Sequence, residues 1–376
     1  MRVVIAAAGT AGHINPGLAI ANKIKEEQKG SKIIFIGTTR GLENDLVPRA
    51  GYELKTIDAY GLSKKLSMEN LKKLYKTYKG LGQAKKILEE FKPDIVIGTG
   101  GYICGAVITS AHKLGIPTML HESNAFPGKA VKMLAKNVDT ILVSFKETKE
   151  RISNANKIVC TGTPVKIQKK AYSLEEKDRI LKECGLTSNK PVVLVYGGSQ
   201  GAQKINEALL EIIENKLNKE YQVIWATGPK QYDIIKSSLE DKTININKVE
   251  NMKIMSYIYN MEEIMNVSDL IVARSGAMTI TEISNLAKAS ILVPLPNVSN
   301  DHQMYNAKVL ENVEAAKIIQ NDLLNGKILN STINEIVLDK EKNIQMGNNA
   351  STISIKNTKD KIYEQILELV NRENLK

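Results

Sequence analysis

Arg2-Val3-Val4-Ile5-Ala6-Ala7-Ala8-Gly9-Thr10-Ala11-Gly12-His13 stands near the head of the chain, and its reading decides the fold. One charge is followed by six apolar residues and then a glycine turn. A short, unbroken apolar run closed by glycine is the pattern of a strand buried on both faces of a parallel sheet. A helical pattern over residues 16–27 comes next. The same order returns in the second half, where Val192-Val193-Leu194-Val195-Tyr196 runs into Gly197-Gly198-Ser199-Gln200-Gly201-Ala202 and then a helical pattern over 203–215. Strand, glycine turn and helix, given twice, predict an α/β chain of two Rossmann-like doubly wound parallel-sheet domains facing a cleft. Ligands are then expected at the carboxyl ends of the strands.

Further strands are expected near residues 32–37, 94–99, 117–121, 140–143 and 157–160, and again near 222–226, 253–257, 270–273, 290–293 and 316–319. Helical patterns at 69–90, 103–114, 128–136 and 230–239 lie between them. The alternation breaks at Gly162-Thr163-Pro164. This places an N-terminal domain at 1–163 and a C-terminal domain at 164–345. Residues 346–376 read as a lysine-rich helix with Ile355, Ile362, Ile366 and Leu369 on one face, returning to the first domain.

At roughly 150 residues per domain, a chain of 376 suits this count. With 43% hydrophobic and 25% charged residues, the composition is globular rather than disordered or fibrous. Three cysteines without C-x-x-C spacing argue against a disulfide scaffold or a cysteine zinc site and for a reducing compartment. No apolar run reaches the ~18–20 residues of a membrane helix, and the apolar start is too short for a signal peptide. An intracellular, non-spanning protein is expected.

The net charge of +11 is concentrated. Between Lys64 and Lys86 stand eight lysines and one acid, with Leu66, Met68, Leu71, Leu74, Tyr75, Tyr78, Leu81 and Ile87 at helical spacing. A solvated lysine face on a core helix is one reading. The other is a patch for anionic lipid headgroups, formed by Lys64, Lys65, Lys72, Lys73, Leu74, Lys76, Tyr78 and Lys79. Nucleic acid is disfavoured, because the stripe holds little arginine and no aromatic recognition motif.

Three glycine clusters follow strands: residues 9–12, Gly98-Thr99-Gly100-Gly101, and 197–202. Such turns let amides approach an anion at a helix N-terminus, and three in matching positions point to a phosphate-bearing ligand. None is a G-x-G-x-x-G fingerprint, and no Gly-Lys pair precedes Ser or Thr, so dehydrogenases and P-loop ATPases are disfavoured. His13, at a strand-to-helix turn, reads either as a general base or as a capping histidine. In His121-Glu122-Ser123-Asn124 the acid reads as a turn cap or a reserve base. In Arg274-Ser275-Gly276-Ala277-Met278-Thr279-Ile280-Thr281-Glu282 the last residue falls inside a helix, either exposed or as a partner for ribose hydroxyls. No Asp-x-Asp occurs, so no acidic metal clamp is expected, and helix ends and amides must neutralise a diphosphate.

Together these motifs, with Pro16-Gly17-Leu18-Ala19, Tyr102, His302-Gln303 and Asn306, resemble a family of peptidoglycan glycosyltransferases. Its members add N-acetylglucosamine to undecaprenyl-pyrophosphoryl-muramoyl-pentapeptide. The resemblance covers essentially the whole chain, in order. It implies a two-domain transferase of the B type with no cofactor and no metal. UDP-N-acetylglucosamine is then expected on the C-terminal domain and the lipid acceptor on the N-terminal one. It further implies a peripheral place on the cytoplasmic face of the membrane, beside an anionic lipid surface, with partners among cell-wall synthesis and division proteins.

Residue by residue, the resemblance assigns Thr10, Ala11 and Gly12 to the pyrophosphates. Asn124, Lys166, Ser199 and Gln303 go to the donor, and the Ile258 backbone to uracil. Ala277, Met278, Thr279, Ile280 and Thr281 go to the diphosphate and ribose, and Glu282 to the ribose hydroxyls. His13, Tyr102 and Glu122 are its catalytic candidates. Three positions depart from the family pattern: Ala11 replaces a glycine, Ser123 a glutamine and Lys166 an arginine, which loses the bidentate fork. The expected chemistry is an inverting transfer with His13 as base. Its rivals are a B-type transferase for another lipid, a UDP-sugar epimerase, and a binding or scaffold protein without turnover.

Overall fold

The computed structural model describes residues 1–60, 67–198 and 201–373. The chain forms two compact units, one made of Met1–Lys166 and the segment from Ile355 onward, the other of Ile167–Ser354.

The first unit runs β1 (Arg2–Ala7), α1 (Ala11–Glu27), β2 (Lys32–Gly37), α2 (Glu43–Arg49), β3 (Glu53–Thr56), α3 (Met68–Phe91), β4 (Ile95–Gly100), α4 (Ile103–Lys113), β5 (Thr118–Glu122), α5 (Lys129–Leu134), β6 (Thr140–Val143) and β7 (Ile158–Cys160). Its sheet is parallel throughout, in the order β3-β2-β1-β4-β5-β6-β7. The order reverses between β1 and β4, the switch point at which such sheets bind ligands. Residues 3–8 are at most 1% exposed, and alternate side chains feed two separate cores. Val4, Ala6 and Ala8 pack in one with α3, α4 and α5. Val3, Ile5 and Ala7 pack in the other with α1. Two buried faces explain why β1 reads as a continuous apolar run.

The second unit runs α6 (Leu174–Glu183), β8 (Val192–Tyr196), α7 (Gln203–Glu214), β9 (Gln222–Ala226), α8 (Pro229–Glu240), β10 (Met252–Met255), α9 (Met261–Val267), β11 (Leu270–Ala273), α10 (Ala277–Leu286), β12 (Ala289–Leu292), α11 (His302–Glu311), β13 (Ala316–Ile318), α12 (Gly326–Val337) and α13 (Lys340–Thr352). Its parallel sheet has the order β10-β9-β8-β11-β12-β13, with the switch between β8 and β11. The last helix, α14 (Thr358–Glu373), belongs to the first unit. There Ile362, Ile366 and Leu369 join the core beside α1, each contributing roughly 1.5–3 kcal/mol by burial.

Among the elements that lie where the sequence reading placed none are β3 and α2. Strand β3 is an edge strand of sequence Glu-Leu-Lys-Thr with no buried residue, so it has no apolar run to announce it. Helix α2 has seven residues and holds Pro48 near its end. Helix α1 begins five residues before Pro16, whose missing N–H leaves the Gly12 carbonyl without its helical donor. Ile355 precedes α14 rather than sharing its face, and lies against Gly162.

Candidate active site

In the first unit, the carboxyl ends of β1, β4 and β5 gather the residues of interest. Gly9 turns the chain with φ of +96°, a conformation that favours glycine. Its N–H donates to Glu43 Oε2 at 2.9 Å and its carbonyl accepts from the Leu42 N–H at 3.3 Å. His13 is the third residue of α1. Its Nδ1 lies 3.1 Å from the Ala8 carbonyl oxygen. A carbonyl can only accept, so Nδ1 carries the proton and the neutral ring keeps its lone pair on Nε2. Thr99 Oγ1 donates to the His13 carbonyl at 2.8 Å.

The second glycine cluster does something the sequence did not show. A Cβ at Gly100 would stand 2.3 Å from His13 Cδ2, and one at Gly101 would stand 2.7 Å from the Ala8 oxygen. Both residues also have positive φ. These glycines seat the imidazole and the peptide that holds it, a second demand on this cluster beside an approach of its amides to an anion. Tyr102 follows at the N-cap of α4, 37% exposed.

Glu122 ends β5 and is buried. Its Oε1 accepts from the N–H and the Nδ2 of Asn124, at 2.8 and 3.0 Å. Its Oε2 accepts from the Gly128 N–H at 2.7 Å, at the N-cap of α5. Burial pushes its carboxyl above the usual range, against the pull of those amides and of nearby His13. The contacts are those of a turn staple that occupies three of its roughly four acceptor positions. His121 is fully enclosed. Its Nε2 donates to the Gly162 carbonyl at 3.0 Å, which leaves Nδ1 to accept from the Ser123 hydroxyl at 3.3 Å. Burial lowers it to about 4, so the ring is neutral at ordinary pH. Asn124 is partly exposed and Lys166 exposed.

In the second unit the loop after β11 leads into α10. The Arg274 Nη1 donates to the Val293 carbonyl at 3.0 Å, and no acid pairs with it among the described residues. Ser275 is buried, with its hydroxyl on the Gln303 carbonyl at 2.8 Å and its own carbonyl accepting from Asn306 Nδ2 at 3.1 Å. The Gln303 Oε1 accepts from the Leu295 N–H at 2.9 Å. Ala277, Met278, Thr279, Ile280 and Thr281 form the first turn and a half of α10, and Thr281 Oγ1 bonds back to the Ala277 carbonyl. Glu282 follows, partly buried, and burial pushes its carboxyl up to about 7. The Tyr196 phenol, at the end of β8, is buried close to this carboxylate and its charge adds to the burial in pushing the phenol up. Ile258 is 2% exposed, anchored between the exposed Tyr257 and Tyr259, whose rings meet edge-on at 5.0 Å.

Helices α1, α4, α7 and α10, which start from these loops, carry no side-chain cap and no acid in the first turn, as is also true of α5, α8 and α11. Helices α6, α12 and α13 are capped by Ser173, Asn325 and Asp339. The uncapped amides lie at the strand ends, the arrangement that receives anions.

Lys64, Lys65 and Ser199 lie outside the described residues, as do the side chains of Lys72, Lys73, Leu74 and Lys76. The described part of α3 exposes Met68, Tyr75, Tyr78 and Lys79. Among the described residues, no helix is long and apolar enough to cross a membrane, and no cluster of three His, Cys, Asp or Glu could hold a metal. Sequence reasoning passed over Glu43, Thr99 and Tyr196. For Glu43 the only signal is a pair of preceding glycines, since a Cβ at Gly37 or Gly41 would strike its side chain at 2.7 or 2.0 Å.

The glycosyltransferase family 28 N-terminal domain matches residues 3–143, and the family's C-terminal domain matches residues 192–366. A protein of Acetivibrio thermocellus, named UDP-N-acetylglucosamine–N-acetylmuramyl-(pentapeptide) pyrophosphoryl-undecaprenol N-acetylglucosamine transferase, is 42% identical over 99% of both chains. A protein of the same name from Thermoanaerobacter sp. is 43% identical over 97% of this chain and 99% of its own. The crystal structure of Acinetobacter baumannii MurG aligns with a TM-score of 0.77 at 26% identity, covering 98% of this chain and 99% of that one. A putative UDP-N-acetylglucosamine 2-epimerase from Listeria monocytogenes shares the fold, with a TM-score of 0.66 at 13% identity, over 97% of this chain and 95% of that one.

Proposed function

The chain belongs to the glycosyltransferase family 28 enzymes that transfer N-acetylglucosamine to pyrophosphoryl-undecaprenol-linked N-acetylmuramyl-pentapeptide, and we propose that it divides that reaction between its two units. UDP-N-acetylglucosamine is the donor and the lipid-linked muramoyl-pentapeptide the acceptor. In this reading the first unit takes the acceptor, with its pyrophosphate on Thr10, Ala11 and Gly12 at the open end of α1 and its sugar near Tyr102. The second unit takes the donor. There the diphosphate meets the first turn of α10 and the Arg274 guanidinium, the ribose meets Glu282, uracil meets the Ile258 backbone, and the sugar meets Gln303. Ser199, Asn124 and Lys166 complete the donor set.

Transfer is a single displacement. His13 Nε2 takes the proton of the acceptor's 4-hydroxyl as that oxygen bonds the anomeric carbon. The bond from that carbon to the diphosphate breaks, its electron pair leaves with UDP, and the configuration inverts. Helix N-termini aimed at the diphosphate stabilise the charge that develops there. The observation that carries the assignment is the 3.1 Å contact of His13 Nδ1 with the Ala8 carbonyl, which in the neutral ring leaves the lone pair on Nε2 to take a proton.

The lysine-rich α3 region, where Met68, Tyr75 and Tyr78 are exposed, serves this reading as a peripheral contact with an anionic membrane on its cytoplasmic face. The test is a radiolabel assay with UDP-N-acetylglucosamine and a short-chain lipid acceptor. Disaccharide-lipid must form, and labelled donor must stay unchanged without acceptor, where an epimerase would convert it. A His13→Ala protein that binds donor and turns over at the normal rate sinks the base assignment.

A further inference from the structure

The ring of His13 is held by a peptide that is itself held by a buried carboxylate. The Ala8 carbonyl, which accepts from His13 Nδ1, and the Gly9 N–H, which donates to Glu43 Oε2, belong to one peptide unit. We propose that Glu43 is a positioning residue that sets the tautomer and direction of the His13 imidazole through the Ala8–Gly9 peptide. This rests on the reading of His13 as the base, because only a base needs its lone pair kept on Nε2.

The geometry supports a relay rather than a loose neighbour. Glu43 is 0% exposed at the start of α2, and its Oε1 accepts from the Thr38 N–H at 2.9 Å and the Thr38 hydroxyl at 2.8 Å. Those bonds fix the carboxylate on the end of β2 and leave Oε2 for Gly9. Asn44 braces the same turn, donating to the carbonyls of Thr38 at 2.8 Å and Gly41 at 3.0 Å. Burial pushes the Glu43 carboxyl up, but the amides of Gly9, Thr38 and Glu43 itself outweigh it and hold the group below its ordinary range, so it stays charged. A charged acceptor on a peptide N–H polarises that peptide and makes its carbonyl a stronger acceptor at the other end. Glycine matters here for a second reason. The peptide plane turns about the Gly9 φ, which glycine leaves soft, so without an external anchor the Ala8 carbonyl has no fixed direction.

The experiment compares wild type, Glu43→Gln and Thr38→Val. The tautomer is read from side-chain 15N shifts of histidine-labelled protein, with the His13 signal identified by its loss in His13→Gln. The amide introduced by E43Q keeps the size of the carboxylate but must set an NH2 group against a backbone N–H in either orientation. The wild-type spectrum should show the Nδ1–H form, and E43Q a mixture of forms. Its kcat should fall about tenfold, a fraction of what a general base supplies, with the KM for donor within about twofold. T38V, which removes one donor from Oε1 and none from Gly9, should keep the wild-type spectrum. A wild-type spectrum in E43Q overturns the relay, and so does one in Glu43→Asp should E43Q fail to fold. Normal turnover by His13→Ala overturns the base reading alone, because the spectrum still reports whether Glu43 sets the ring.

Discussion

Replacing Gly100 by alanine tests whether the second glycine cluster exists to seat His13. The new Cβ would lie 2.3 Å from His13 Cδ2, where ordinary contact begins at 3.4 Å, so the ring must retreat by about 1 Å. It cannot retreat with its bonds intact, because Nδ1 is held by the Ala8 carbonyl and the His13 carbonyl by Thr99. A shift of about 1 Å in a catalytic group costs on the order of 100-fold in rate. The backbone adds a second cost, since φ of +128° at Gly100 is one that alanine rarely adopts, worth roughly 1–3 kcal/mol. The expected result is therefore a folded protein of lower thermal stability, with kcat down about 100-fold and the affinity for UDP unchanged. The assay is steady-state transfer to a short-chain lipid acceptor, with calorimetric UDP titration beside it. Gly105→Ala is the control, because a Cβ there meets nothing within 4 Å and the residue lies inside α4, where alanine favours the helix. G100A at wild-type kcat would falsify the seating argument.

Three further outcomes are expected. Burial pushes Glu282 up to about 7, and if it holds the ribose as proposed the hydroxyls donate to its ionised form, so UDP affinity should fall as pH drops below about 7, by up to tenfold per unit. Glu282→Gln should bind weakly with no such slope, and an unchanged slope in calorimetry refutes the assignment. His121 is lowered to about 4 from 6.5, so the neutral ring stabilises the first unit above pH 6.5, and this is lost as pH falls toward 4. The loss reaches about 3 kcal/mol in chemical denaturation, and His121→Gln should flatten that limb. Reversing Lys72, Lys73, Lys76 and Lys79 to glutamate should weaken sedimentation with anionic vesicles by on the order of a thousandfold, at about 1 kcal/mol per lysine. UDP affinity should not move, and vesicle binding that survives makes the charge a solvated face.

Both sheets were legible because their central strands are buried on two faces and so carry continuous apolar runs that turn residues interrupt. Strand β3 escaped, since an edge strand that turns only Leu54 toward the core has no hydrophobic run to announce it. His13 was legible as a candidate from its place after a strand, but its tautomer was not. That depends on the direction of one carbonyl, which local sequence does not encode. Glu43 was invisible for a related reason: in Thr38-Thr39-Arg40-Gly41-Leu42-Glu43 an acid among polar residues and glycine looks exposed. Only the fold, by bringing Gly9 and Thr38 to one point, gives it three donors and a reason to be buried. The role of Gly100 and Gly101 in seating His13 was not legible, because glycine marks close approach without saying what approaches. Here it is an imidazole and a carbonyl.

The first unit is assembled from both ends of the chain: α14 fills the core beside α1, yet it is synthesised after all of the second unit. Domains usually fold in the order in which they emerge. Here the second unit, continuous in sequence, can complete its core while the first still lacks Ile362, Ile366 and Leu369. The N-terminal sheet must wait with one face partly uncovered until α14 emerges, and a chain cut short near Ser354 never closes it. Completion of the unit that holds His13 thus depends on synthesis of α14, and a product truncated before it would keep an intact second unit beside an unfinished first.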